Sequence, residues 1–424
     1  MGVADAKGGP GGSAASGSPG EPGGRNPFAS RAFARWWAAS LVAGTGVGIQ
    51  AVTVPLFLRD RVAADDRAPL IAAALVAQTL PGALLALVGG AVADRVPRAR
   101  ILLRTYAVAA AVSGGYVALA GFDVRAIWPV FPLAAAVGSA GAFTNPARAS
   151  LLPQLVERAQ LQNAVILGTM GFMAALQFLG PAVGGVVAEA RGLALAFALE
   201  AVLLAAAALL FGRIRTPQPA PSGRSVLGDL ADGVRYVARE PALRALVALG
   251  AIPGVLFVGP FAVTIAIVVP DVLHASDKWV GLLWGCFGAG VFAGSVLLTL
   301  RPLPRRGLAV CLANVAGGII LVLYGASETL PRAAALLFAW GLGASVFMNY
   351  VVALLQERAD PARLGRVMSM YSLVFFLSMP LGYAQSGALT RAFGPQATLV
   401  ANGVVAAAIG LACLAFLRSV RALR

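Results

Sequence analysis

The chain has 424 residues, 59% of them apolar and only 12% charged, with a formal net charge of +15 and a mean hydropathy of +0.81. That balance excludes ordinary soluble domains and points to a polytopic membrane protein. A single histidine, His274, and three dispersed cysteines, Cys286, Cys311 and Cys413, provide neither a metal centre nor a disulfide framework, and neither lysine, Lys7 or Lys278, lies in a GxxxxGK[ST] phosphate loop.

Residues 1–30 are rich in Gly, Pro, Ala and Ser, which bury too little surface to offset ordering entropy, so a disordered cytoplasmic tail without a signal peptide is expected. Twelve apolar segments follow, at about 33–58, 69–93, 102–121, 126–144, 163–188, 193–211, 243–270, 279–300, 307–325, 333–354, 367–390 and 396–417. A helix needs about 20 apolar residues to cross hydrocarbon. Because the segments are continuously apolar rather than alternating, they predict an all-α integral membrane protein and not a barrel. The expected organisation is a six-helix bundle over 31–212, a cytoplasmic linker over 213–242, a second six-helix bundle over 243–418 and a cytoplasmic tail over 419–424. Within the linker, Leu227, Leu230, Val234 and Val237 form an amphipathic stretch.

The two halves echo each other. Glu157-Arg158 recurs as Glu357-Arg358, Pro181 as Pro380, and Gly192 to Glu200 as Gly394 to Asn402, at offsets of 200, 199 and 202. A near-constant offset argues for duplication of a six-helix unit, a construction common in secondary transporters. Of the 33 basic residues, 25 fall on the side that holds the N-terminus and 8 on the other. The positive-inside rule therefore places both termini in the cytoplasm of a cell membrane. The basic excess is explained by this asymmetry, and no nucleic-acid partner is implied.

After the second segment comes Gly89-Gly90-Ala91-Val92-Ala93-Asp94-Arg95-Val96-Pro97-Arg98-Ala99-Arg100. It resembles the G-x-x-x-D-R-x-x-R-[RK] loop of the major facilitator superfamily. The resemblance implies a conformational latch of Gly90, Asp94, Arg95, Arg98 and Arg100 against helix eleven, which begins near Gly365. The equivalent stretch in the second half, Gly294 to Arg306, keeps three arginines but lacks the acid. Gly180-Pro181-Ala182-Val183-Gly184-Gly185 looks like the G-P-x-x-G-G core of the motif associated with the superfamily's exporters, although Leu176 stands where a further glycine is usual. Proline frees a carbonyl and glycines permit close approach, so Gly180, Pro181, Gly184 and Gly185 mark a bend. Ala142 to Pro153, with Thr144-Asn145-Pro146-Ala147-Arg148, followed by Leu161-Gln162-Asn163-Ala164, is similar to the macrolide-efflux and enterobactin-exporter-like branch. The arginine found within helix four of many drug/proton antiporters has no counterpart between Arg125 and Arg148.

Glu200 lies eight residues past Gly192, roughly 12 Å into helix six. A carboxyl at that depth is costly, and it is either a proton-coupling group or a neutral, hydrogen-bonded structural acid. In the architecture that the resemblance implies, helix six is peripheral, while helices one, four, seven and ten line the cavity. Candidate cavity residues are therefore Gln50, Asn145, Phe257, Phe261, Asn349 and Tyr350, with Gln177, Trp284 and Gln385 from helices five, eight and eleven. Each serves either interhelical packing or substrate contact. Few charges and several rings suit a lipophilic or amphipathic organic solute. The expectation is a monomeric, proton-coupled exporter of a small molecule in the lipid bilayer, with no cofactor, no metal and no enzymatic activity. An importer or facilitator on the same fold, or a receptor or scaffold that does not transport, is the alternative.

Overall fold

The computed structural model describes residues 26–93, 95–214, 226–361, 363–416, 421 and 423. Most of the expected N-terminal tail, the first part of the linker, most of the C-terminal tail and Asp94 lie outside the described residues. The described chain is helical and without strands. Its membrane helices are α1 (Arg31–Arg59), α2 (Ala64–Ala93), α3 (Arg98–Gly121), α4 (Val130–Leu151), α5 (Arg158–Arg191), α6 (Leu193–Gly212), α7 (Pro241–Asp271), α8 (Lys278–Leu300), α9 (Arg306–Gly325), α10 (Leu330–Arg358), α11 (Leu364–Phe393) and α12 (Pro395–Phe416). Eleven of them are long and apolar enough to cross a membrane. The exception is α4, which is long enough but carries Thr144, Asn145, Pro146 and Arg148 in its last turns. Hydropathy ends this segment near Thr144, yet the helix runs to Leu151, because a helix satisfies its own backbone whatever its side chains. Arg148 is therefore a helical residue and not a loop one.

Local chemistry sets the boundaries. Ser30 caps α1 by accepting the Phe33 N–H at 3.2 Å, and its hydroxyl donates to the Leu155 carbonyl at 2.8 Å, tying α1 to the α4–α5 connection. The turns Gly192 (φ 87°) and Gly394 (φ 83°) close α5 and α11 and open α6 and α12. Both need the left-handed backbone that glycine adopts without strain. A second duplicated feature is a backbone crossing within each half. A Cβ on Gly180 would lie 2.7 Å from Gly48 Cα, joining α5 to α1, and one on Gly382 would overlap the Gly254 carbonyl, joining α11 to α7.

The end of the bundle from which α1 starts is called the linker end, and the end with Arg59 and Asp271 the far end. Two apolar cores divide the molecule unequally. One runs without interruption from Val52–Leu58 of α1, Ile71 of α2 and Phe197 of α6 into Val263–Val269 of α7 and Val280 of α8, fusing the halves towards the far end. The other, with Phe33, Trp36, Leu102, Tyr106, Leu151 and Phe211, belongs to the N-terminal half alone and lies towards the linker end.

The amphipathic stretch of the linker is a helix, Val226–Arg239. It is docked on the C-terminal half: Gly233 packs against Arg366 and Met370, and the Tyr236 hydroxyl accepts the Asp360 N–H at 3.1 Å. The Arg363 guanidinium lies 4.8 Å from the centroid of the Tyr236 ring.

Candidate functional site: the interface between the halves

In a regular α-helix the residue at position 181 would donate to the carbonyl of Gln177, and proline has no N–H to give. The chain answers with a π-turn, Ala175–Leu179, directly before Gly180-Pro181. The same device recurs in α7, where the π-turn Pro253–Val258 precedes Gly259-Pro260. The glycines of α5 then face two ways. Gly180 and Gly184 meet α1 at Gly48 and Ile49, while a Cβ on Gly185 would come within 2.9 Å of the Lys278 carbonyl of α8. In return, a Cβ on Gly281 would overlap the Pro181 carbonyl. The glycine missing at Leu176 is offset by the partner helix, since Gly44 and Gly48 of α1 approach Leu176.

Towards the far end, α2 and α11 make the matching crossing, with Gly387 against Ala68 and Ala72. Ion pairs ring these contacts. Arg59 of α1 forks onto Asp277 at 2.6 and 2.9 Å and also holds Asp60. Lys278 pairs with Glu189 at 2.9 Å, Arg67 with Asp271 at 3.1 Å and Arg391 with Asp66 at 3.7 Å. All four pairs join opposite halves. Arg59, only 9% exposed, makes the strong one, because a bidentate charged fork in partial burial outweighs exposed pairs worth at most about 1 kcal/mol. Sequence reasoning missed this ring. Its only linear signal is the adjacency of opposite charges in Arg59-Asp60 and Asp277-Lys278.

The candidate cavity residues separate into several environments. Gln50 of α1 is buried and accepts from the Gln78 amide of α2 at 2.9 Å. Gln177 accepts the Trp284 indole N–H at 3.2 Å, a hydrogen bond between the halves. Asn145 is exposed on α4, and exposed Asn349 donates to Ser295 of α8 at 3.1 Å. Phe257 and Phe261 instead turn into the C-terminal half. Phe261 packs against Trp284, Phe287, Tyr324 and Trp340, and Phe257 against Trp340. Tyr350 receives the Leu303 N–H at 2.7 Å and so pins the α8–α9 turn. Gln385 donates to the carbonyl of Val255 at 3.0 Å and to Asn402 at 2.8 Å.

Glu200 is the only fully buried acid among the described residues. Its Oε1 accepts the Ser113 hydroxyl at 2.7 Å and its Oε2 has no partner. At the repeat-related position, the Asn402 amide is bonded at both ends, to Gln385 and to the Thr398 carbonyl. Of the expected latch, Gly90 falls in the last turns of α2, Asp94 lies outside the described residues, Arg95 and Arg100 are exposed, and Arg98 opens α3. The first turn of α11, its expected partner, carries the linker helix. Arg148, not among the expected site residues, has its guanidinium carbon 3.5 Å from the centroid of the Phe172 ring.

The profile of the transmembrane secretion effector family, of the major facilitator superfamily, matches residues 23–423. The chain belongs to that family. The chain is 28% identical over 398 residues to the multidrug efflux pump Tap of Mycobacterium tuberculosis, covering 89% of this chain and 91% of Tap. It is 21% identical over 391 residues to macrolide efflux protein A of Streptococcus pyogenes, covering 89% and 94%. Among solved structures it is similar to a bacterial homologue of the human lysosomal transporter Spinster in an inward-facing, unoccupied conformation, with a TM-score of 0.69 at 16% identity, covering 93% of this chain and 99% of that one. The human organic anion transporter MFSD10 gives 0.63 at 15%, covering 90% and 98%. These likenesses show the twelve-helix major facilitator fold. The chain is a multi-pass membrane protein of the transporter class.

Proposed function

We propose that this protein is a secondary exporter of small lipophilic or amphipathic organic compounds. It works by alternating access, with both termini cytoplasmic and the far end extracellular, in the cell membrane. One observation carries the reading: the halves share a core and four ion pairs towards the far end, whereas the N-terminal core at the linker end stands apart. That is the arrangement expected of a transporter closed outside and accessible from the cytoplasm. The direction of transport follows the efflux pumps to which the chain is similar and the Gly-Pro crossing at Pro181. The cavity candidates Gln50, Asn145, Gln177, Trp284 and Asn349 supply uncharged polar groups and a ring for an organic solute. Loss of the protein should raise the intracellular level of an exported compound such as erythromycin; a lowered level would mark an importer.

The finer part of the proposal is coupling to protons in a monomer, with Glu200 as the candidate carrier. Its support is a carboxyl held away from water with one oxygen unpartnered. Asp94, with Gly90 and the arginines Arg95, Arg98 and Arg100, is proposed as the latch at the linker end. Asp94→Asn should insert normally but cycle at least about tenfold more slowly, as judged by export from vesicles; wild-type flux at equal expression removes the latch role.

A further inference from the structure

Arg148 is held in α4 with its guanidinium over the face of Phe172 on α5. Its Nε is buried without a hydrogen-bond partner, and no ion pair engages it among the described residues. A guanidinium keeps its charge in any protein and presents five N–H donors in a fixed fork. The ring face takes the cation by its flat side, which leaves the donor edge without an acceptor. Unpaired charge inside a membrane bundle is costly and marks a pathway or a ligand.

The ring on which the guanidinium rests belongs to a residue midway along α5. The carbonyl of Phe172 is the atom nearest a Cβ built on Gly44, which lies midway along α1. The buried acid of this half is no counter-ion. Glu200 is bonded to Ser113, whereas the tyrosine beside Arg148, Tyr106, lies seven residues back along α3, about 10 Å at 1.5 Å per residue. Arg148 remains partly exposed, and Asn145 and Ala149, on the same stretch of α4, are exposed. The arginine therefore stands beside the core of the N-terminal half, at the end where the halves do not share one, with part of its side chain open.

We propose that Arg148, backed by Phe172, is an anion-recognition residue of the transport route, and that the solutes handled include amphipathic organic carboxylates. The carboxylate would take the open N–H edge while the apolar body lies between the halves. The inference rests on the transporter reading and names a substrate class for it.

The test uses the purified full chain in phosphatidylcholine nanodiscs with 1-pyrenebutyrate and its uncharged methyl ester, read by energy transfer from the tryptophans. Trp36 and Trp37, packed at Gly168 and Gly171, lie within two turns of Phe172 on α5. The wild type should bind the acid at least about tenfold more tightly than the ester, the scale of a hydrogen bond to a charged group. Arg148→Gln should erase that preference while ester binding stays within about twofold, and Arg148→Lys should keep part of it. Equal binding of acid and ester by the wild type overturns the proposal, as does a preference that survives in Arg148→Gln. The wild-type comparison needs no variant, so misfolding of Arg148→Gln leaves that refutation available. Proteoliposome flux separates the two readings: ester transported without preference for the acid refutes the anion site alone, and an intact binding preference without flux of either compound refutes the export reading alone.

Discussion

Towards the far end, Pro181 of α5 and Gly281 of α8 bring the two halves into backbone contact, and Gly387 of α11 does the same with α2. Around these crossings four ion pairs close the rim. At the linker end the N-terminal core of Phe33, Trp36, Tyr106 and Phe211 stops within its own half. The difference teaches how a closure can be firm and still reversible. Glycine crossings fit closely without interlocking side chains, so they part without dragging large groups through a packed core. The three more exposed ion pairs of the rim exchange their partners for water at little cost, and only the Arg59 fork resists.

The comparison is broken most severely by filling a crossing. Gly281→Val places two methyl groups where even a Cβ overlaps the Pro181 carbonyl. Transport should fall by at least about tenfold, and Cys286, half-buried on α8, should become reactive to an impermeant maleimide from outside. Unchanged flux and labelling would show that the crossing is not required for closure. Arg59→Gln comes next. It strips the fork from Asp277 and Asp60, and losing charged hydrogen bonds of about 1.5–3 kcal/mol should raise outside labelling of Cys286 roughly tenfold. Labelling that stays at the wild-type level assigns closure to the glycines alone.

The repeat-related pair Glu200 and Asn402 sharpens the contrast between the halves. An amide keeps the shape of a protonated carboxyl but releases no proton. If Glu200 carries the coupling proton, Glu200→Gln should abolish uphill flux driven by a pH gradient while solute exchange persists. Retained pH-driven flux returns Glu200 to a structural role. Asn402→Ala should lower the melting temperature without altering pH dependence, because it removes only hydrogen bonds. The smallest effect belongs to Arg391→Gln. Its pair with Asp66 is long and exposed, so flux should change by less than about twofold.

Most of the scaffold was legible because hydrocarbon imposes a length on every helix, and the six-helix repeat is written in Gly192 and Gly394, where only the backbone matters. The site was less so. Arg148 reads as a loop residue while hydropathy marks the span, since nothing linear reveals the ring of Phe172 beneath it. Phe257 and Phe261 read as cavity residues on a regular helix. Phe257 lies within the π-turn Pro253–Val258 and Phe261 just after it, so the regular helical period does not fix the face that either ring takes. Arg59 and Asp277 are separated by 218 positions, and their fork exists only because the duplicated halves fold against each other.

The deep placement of α1 and α7 has a kinetic consequence. The most apolar stretch of each is 78% buried within the protein, against 28% for α11, so their amides are covered mainly by neighbouring helices. Deuterium can reach Val52–Leu58 and Val263–Val269 chiefly when the halves part at the far end. Their exchange rate, measured by mass spectrometry as solute and pH are varied, is therefore a clock for how often the far end opens.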